Sequence, residues 1–62
     1  MIRIVAIDDE SAALHALRSL VESYPSELKW MKGFTNSQEA QEYLNKTSDV
    51  DALFLDINLF KA

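Results

Sequence analysis

Three aspartates that directly follow apolar runs are the residues of this sequence best suited to chemistry. Asp8 and Asp9 come after the run Ile2–Ile7, and Asp56 comes after the run Ala52–Leu55. Ligands of open α/β sheets bind just beyond the carboxyl ends of the strands, so a carboxylate there is a candidate for function. Clustered carboxylates can hold a divalent cation such as Mg²⁺, and a carboxylate beside such an ion can act as a nucleophile toward phosphorus.

The apolar patterns predict three strands that position these acids. The run Ile2–Ile7 is nearly continuous, and the run Ala52–Leu55 has no alternation, which indicates a strand covered on both faces. The segment Leu28–Phe34 alternates and is predicted to be a half-exposed strand. Its expected faces are Leu28, Trp30 and Phe34 on one side, and Lys29 and Gly33 on the other.

Two amphipathic helices are predicted between the strands. The first runs over 11–24, with Ser11 as its cap and Pro25 as its stop. The second runs over Ser37–Lys46, and Asn36 with Glu39 has the spacing of a capping box. The apolar stripe of the first helix consists of Ala13, Leu14, Leu17, Leu20, Val21 and Tyr24.

The resulting βαβαβ order predicts an α/β fold with a parallel sheet, corresponding to half of a flavodoxin-like sheet. If the topology is flavodoxin-like, right-handed crossovers place the first strand in the middle, so that Asp8, Asp9 and Asp56 meet at one rim. We expect these acids to bind Mg²⁺, with Asp9 and Asp56 as direct ligands and Asp8 acting through water. The backbone carbonyl of Asn58 would complete the set of metal ligands.

Composition limits the class of protein further. The chain has 62 residues, no cysteine and a net charge of -4. The acidic excess disfavours nucleic-acid contact by this segment. No apolar run approaches the roughly 20 residues of a membrane span, and the lack of cysteine fits the cytosol. We therefore expect one cytoplasmic domain without membrane contact.

The motifs Ile7-Asp8-Asp9-Glu10 and Leu53-Phe54-Leu55-Asp56-Ile57-Asn58-Leu59 resemble the receiver domain of bacterial two-component response regulators. The resemblance covers residues 1–62. The same motifs also resemble those of response regulators that carry a LytTR-type DNA-binding domain. It implies a phosphorelay module rather than an enzyme, in which Asp56 accepts a phosphoryl group from a sensor histidine kinase. It also implies that Asp8 and Asp9 organise Mg²⁺.

The sequence departs from the receiver pattern in two places. Phe60 stands where receivers usually have Pro, and the 62 residues end before the two βα units that carry the Ser or Thr and the Lys of the receiver switch. The expectation is therefore a truncated receiver. A third strand left at the edge over 52–57 would expose apolar backbone, so we expect a homodimer, formed by edge pairing or by exchange of elements.

Other interpretations of the same residues remain open. Asp8 and Asp9 could simply be acids at a helix start, where the helix dipole favours them. An apolar strand ending in Asp also opens the active site of haloacid dehalogenase-type enzymes, but their second Asp is Asn58 here. Finally, the chain could be a phosphate-independent dimerisation fragment with a vestigial acidic pocket.

Overall fold

Strands and helices alternate along residues 1–56, the part of the chain that the computed structural model describes. The elements are β1 (Ile2–Ile7), α1 (Ser11–Glu22), β2 (Leu28–Phe34), α2 (Ser37–Lys46) and β3 (Ala52–Leu55). All three strands are parallel, and β1 lies between β2 and β3. The predicted α/β class, the βαβαβ order and the central position of the first strand are confirmed. No helix within residues 1–56 is long and apolar enough to cross a membrane.

The central strand β1 forms the core because its side chains are covered from both faces of the sheet. Ile4, Val5, Ala6 and Ile7 are all buried. On the α2 face, Val5 and Ile7 pack in one cluster with Phe34 and Ala40. Partly buried side chains pack against this cluster, among them Met31, Tyr43 and Val50. Alternate residues of β1 therefore serve two apolar layers, which explains its nearly continuous apolar sequence.

On the other face of the sheet, the apolar stripe predicted for α1 is only partly buried. Val21 is buried, whereas Leu20 and Tyr24 remain exposed. The helix ends at Glu22, two residues before the predicted end, because the Ser23 hydroxyl and backbone N–H donate to the Leu20 carbonyl and close the last turn. An apolar groove lies between Leu20 of α1, Tyr24 just beyond the end of that helix, and Phe54 of β3.

The prediction for the faces of β2 is wrong after Trp30. Ile4 of β1 pairs with Trp30 but Val5 pairs with Lys32, so Met31 is an extra residue in the ladder. This bulge shifts the alternation by one position. Phe34 consequently lies on the α2 face, with its ring centroid 5.4 Å from that of Tyr43.

Gly33 lies on the same face as Trp30, contrary to the predicted alternation. A Cβ atom at Gly33 would come within 2.8 Å of Cζ2 of Trp30 and 3.3 Å of Cδ2 of Leu14. The absence of a side chain therefore allows the indole ring and α1 to lie close to the strand.

The sequence of β3 predicts a strand covered on both faces, but the described residues, 1–56, leave this strand partly exposed. Within the described residues it is the edge of the sheet, because only β1 pairs with it. The exposed fractions are 40% for Leu53, 46% for Phe54 and 51% for Leu55. A continuous apolar run thus marks a strand that could be covered on both faces, but coverage depends on neighbours outside the run.

The two helix caps differ from each other. The prediction of Ser11 as a cap is wrong: Glu10 occupies the cap position and makes no side-chain capping bond. Asn36 is confirmed, since its side-chain oxygen accepts hydrogen bonds from the N–H groups of Gln38 at 2.8 Å and Glu39 at 3.1 Å. Only α2 therefore has its first N–H groups satisfied by the cap side chain.

This difference gives a matched pair of substitutions. We expect Asn36→Ala to lower the free energy of unfolding by about 1 kcal/mol, because it leaves the first N–H groups of α2 without their acceptor. Ser11→Ala should change it by less than about 0.5 kcal/mol, because Ser11 does not act as a cap. Urea denaturation followed by circular dichroism measures both values. Equal losses for the two variants would contradict the assignment of the caps.

An ion pair between Arg3 and Asp51 fastens the start of β3 to β1. Asp51 Oδ2 accepts from the backbone N–H and from Nε of Arg3, each at 2.9 Å. The Asp51 N–H in turn donates to the Arg3 carbonyl at 2.9 Å. Asp49 is a more distant partner of Arg3, at 3.8 Å from Nη1. The side-chain and backbone hydrogen bonds from Arg3 lower the pKa of Asp51.

The lowered pKa predicts a pH dependence of stability. Because the folded-state pKa of Asp51 lies below its unfolded value of about 3.9, the contribution of Asp51 is complete above that pH and is lost as the pH falls through the folded-state pKa. Asp51→Asn should therefore lower the urea midpoint at pH 7, and the difference from the unsubstituted chain should shrink on acidification toward pH 2. Asp49→Asn is the control, with a smaller effect at pH 7. A constant difference across the pH range would contradict this role for Asp51.

Candidate metal centre

The register between β1 and β3 brings the ends of the two strands to the same edge of the sheet. Ile7 pairs with Leu55, the last residue of each strand. The ladder extends one residue further, because the Asp56 N–H donates to the Ile7 carbonyl at 3.0 Å. On the other side of β1, the Asp8 N–H donates to the Phe34 carbonyl at 2.9 Å. Backbone hydrogen bonds thus fix the positions of Asp8 and Asp56 at neighbouring strand ends.

The three predicted carboxylates lie together at this edge. Asp8, Asp9 and Asp56 each contribute a carboxylate oxygen, and these oxygens lie within 4.8 Å of one another. Asp8 and Asp56 are half-buried and Asp9 is exposed. The prediction that the acids meet at one rim is therefore confirmed. Asn58, the fourth predicted ligand, lies outside the described residues.

The turn from β1 into α1 orients the first of these acids. Asp8 Oδ1 accepts a hydrogen bond from the Glu10 N–H at 2.9 Å, a local side-chain turn typical of Asp. The Glu10 carbonyl then accepts from the N–H groups of Ala13 at 3.1 Å and Leu14 at 3.2 Å and starts the helix. The amino end of α1, with its partial positive charge, consequently adjoins the acidic cluster.

The electrostatics of the cluster are unfavourable without a counter-charge. Desolvation raises the pKa of Asp9, and the charge of Asp56, a hydrogen bond with the Asp56 side chain and the charge of Asp8 raise it further. Like-charged carboxylates at this separation favour protonation of one of them or binding of a cation. Binding of a proton or a cation at the rim would therefore relieve the repulsion between these carboxylates.

The donor set fits a hard divalent cation. Mg²⁺ binds to oxygen ligands, takes one or two carboxylates from a protein and retains several waters. The exposed position of Asp9 leaves room for such waters. The surface below the acids is apolar, with Leu14 and Leu17 of α1 facing Phe54 across a cleft. Polar ligands would therefore be held at the rim and not in the cleft.

Sequence reasoning missed the two residues that fix the far end of β3. Arg3 interrupts the apolar run of β1, and Asp51 directly precedes the apolar run of β3. Opposite charges at the starts of two strands that are predicted to be parallel neighbours are a signal that could have revealed the pair. Arg3 and Asp51 do not touch the acidic cluster, but they help to hold the strand that carries Asp56.

The comparisons with known proteins found no match. No protein-family model, curated protein or solved structure matches this chain. Its function is therefore inferred from the geometry of the acidic cluster and the residues around it.

The raised pKa of Asp9 gives a prediction with the opposite sign to that for Asp51. Below the unfolded-state pKa of about 3.9, Asp9 is protonated in both the folded and the unfolded chain, so it does not lower the free energy of unfolding. As the pH rises from there to the folded-state pKa, the free energy of unfolding falls. Asp9→Asn should therefore raise the urea midpoint at pH 7 in metal-free buffer, and the gain should vanish below about pH 3.5. Glu42→Gln, which removes an exposed acid of α2, is the control. A variant less stable than the unsubstituted chain at pH 7 would contradict the repulsion.

Proposed function

We propose that this chain is a receiver module of a two-component phosphorelay, in which Asp56 accepts a phosphoryl group with the help of a divalent cation. The observation that carries the proposal is the meeting of three carboxylate oxygens within 4.8 Å, at the ends of adjacent parallel strands. The resemblance of residues 7–10 and 53–59 to receiver motifs supports the same assignment. By that resemblance the phosphoryl donor is a sensor histidine kinase.

In this proposal the three acids hold the cation together, and Asp56 is also the phosphoryl acceptor. Asp8, oriented by the Glu10 N–H, and Asp9, exposed to solvent, would hold Mg²⁺ together with Asp56. The bound cation would neutralise the oxygens of the incoming phosphoryl group. A carboxylate oxygen of Asp56 forms the new bond to phosphorus as the bond from phosphorus to the donor nitrogen breaks. The hydrogen bond from the Asp56 N–H to the Ile7 carbonyl holds the acceptor at the strand end.

The wider context of the module follows from the same resemblance. The strand order β2-β1-β3 is compatible with part of a flavodoxin-like sheet. In receivers, the Ser or Thr and the Lys that contact the phosphoryl group lie on strands that follow the first three. A LytTR-type output would make the chain part of a cytoplasmic system that regulates transcription.

The metal part of the proposal can be tested without any phosphate donor. Mg²⁺ should raise the urea midpoint of the unsubstituted chain, because it binds the folded state preferentially. Asp8→Asn and Asp56→Asn should each weaken Mg²⁺ binding by at least about tenfold, since loss of even an outer-shell partner has an effect of this size. Glu42→Gln removes one charge elsewhere and should leave Mg²⁺ binding unchanged. Equal responses in all four chains would mean that the cation screens charge without occupying the site.

The phosphoryl acceptor is tested by weighing the intact chain after incubation with Mg²⁺ and a small acyl phosphate. We expect one added phosphoryl group, none after Asp56→Asn, and a reduced yield after Asp9→Asn. An adduct that persists in the Asp56→Asn variant would overturn the assignment of the acceptor. No adduct in a chain that binds Mg²⁺ would favour a phosphate-independent module with a vestigial acidic pocket.

A further inference from the structure

We propose that Gly33 is a positioning residue for the metal centre, because it lets the first turn of α1 lie close enough to the sheet to orient Asp8. Gly33 belongs to β2 and carries no ligand atom on a side chain, so it acts through α1 and not by touching the cation. The inference rests on the proposed Mg²⁺ site at Asp8, Asp9 and Asp56.

The side chains between α1 and the sheet become smaller toward the acidic end of the strands. From the amino end to the carboxyl end, the β1–β2 pairs on this face are Ile2 with Leu28, Ile4 with Trp30, and Ala6 with Gly33. The two smallest residues thus form the last pair, and both line clefts that Leu14 of α1 also lines. Small residues allow a neighbouring element to approach the strand closely. The amino end of α1 can therefore lie nearest to the sheet where the three acids meet.

There is no room for a side chain between Gly33 and α1. A Cβ atom at Gly33 would lie 2.8 Å from Cζ2 of Trp30, 3.3 Å from Cδ2 of Leu14 and 3.5 Å from Cδ1 of Leu14. Trp30 lines two open grooves, so its ring has space to move away. Leu14 has less freedom, because a leucine in a helix has few rotamers and both of its methyl groups lie near Gly33. An added Cβ atom would therefore press on α1 through Leu14.

Two hydrogen bonds connect the backbone of Leu14 to the carboxylate of Asp8. The Leu14 N–H donates to the Glu10 carbonyl at 3.2 Å, in the first turn of α1. The Glu10 N–H in turn donates to Asp8 Oδ1 at 2.9 Å. Glu10 makes no side-chain capping bond, so the position of this turn depends more strongly on packing. A shift of the first turn would move the N–H group that orients Asp8.

Titration of Gly33→Ala with Mg²⁺, under conditions in which the chain is folded, tests the proposal. We expect the Mg²⁺ affinity to fall by at least about threefold, because the outer-shell N–H of Glu10 is displaced. Asn36→Ala is the matched control. It weakens the start of α2, on the other face of the sheet, and should leave the Mg²⁺ affinity of the folded chain unchanged.

Second substitutions show whether the effect passes through α1. Leu14→Ala removes both methyl groups near the new Cβ atom, so its combination with Gly33→Ala should bind Mg²⁺ more tightly than Gly33→Ala alone. Trp30→Phe removes the indole atom nearest to Gly33 and keeps Leu14, so its combination with Gly33→Ala should not restore binding. If Gly33→Ala alone does not fold, the Trp30→Phe chain with and without Gly33→Ala provides the same comparison.

The amide proton of Glu10 gives a second readout that does not require the cation. Its chemical shift in metal-free buffer reports the hydrogen bond from the Glu10 N–H to Asp8 Oδ1. We expect this shift to change in Gly33→Ala, to return toward its original value when Leu14→Ala is added, and to stay the same in Asn36→Ala. A substitution that only lowers the stability of the fold would not produce this pattern.

Three results would overturn the proposal: an unchanged Mg²⁺ affinity in Gly33→Ala, an unchanged Glu10 amide in that variant, or recovery of Mg²⁺ binding on adding Trp30→Phe. The last result would assign the effect to the indole and not to α1. Failure of the unsubstituted chain to bind Mg²⁺ would instead contradict the proposed function. In that case the Glu10 amide would still decide whether Gly33 positions Asp8.

Discussion

The parallel alignment of β3 with β1 is the constraint on which the acidic cluster depends. Because Ile7 pairs with Leu55, the next residues of both strands reach the same edge, where Asp8 and Asp56 lie side by side. A slip of one residue would move Asp56 by about 3.3 Å along the strand and reverse the faces of the β3 side chains. The chemistry proposed for the rim is thus a consequence of strand register.

Charged side chains attract each other at one end of the β1–β3 pair and repel each other at the other end. At the amino end, Arg3 and Asp51 attract, and their hydrogen bonds include the backbone N–H of both residues. At the carboxyl end, the three acids repel, and the pKa of Asp9 is raised. Attraction at the amino end supports the alignment that makes repulsion at the carboxyl end unavoidable. The repulsion is what makes the rim receptive to a cation.

The bulge in β2 shows how one local irregularity redirects packing. Met31 adds a residue to the ladder between Trp30 and Lys32. The shift turns Phe34 toward the cluster under α2, while Trp30 and Gly33 remain under α1. Each helix therefore receives an aromatic residue from the same short strand. A strictly alternating strand would have placed both aromatic residues on one face, since their positions have the same parity.

By itself, the sequence determined the order of the elements, the central position of β1 and the meeting of the three acids. The order of the elements follows from local apolar periodicity, and the other two features follow from right-handed crossovers once a flavodoxin-like topology is assumed. Asn36 was also predictable as a cap, because a cap is a contact between residues two and three positions apart. Only the tertiary structure decided that Met31 bulges and that Arg3 binds Asp51. Each of these depends on which distant segments become neighbours, and a periodic pattern within one segment carries no information about its partners.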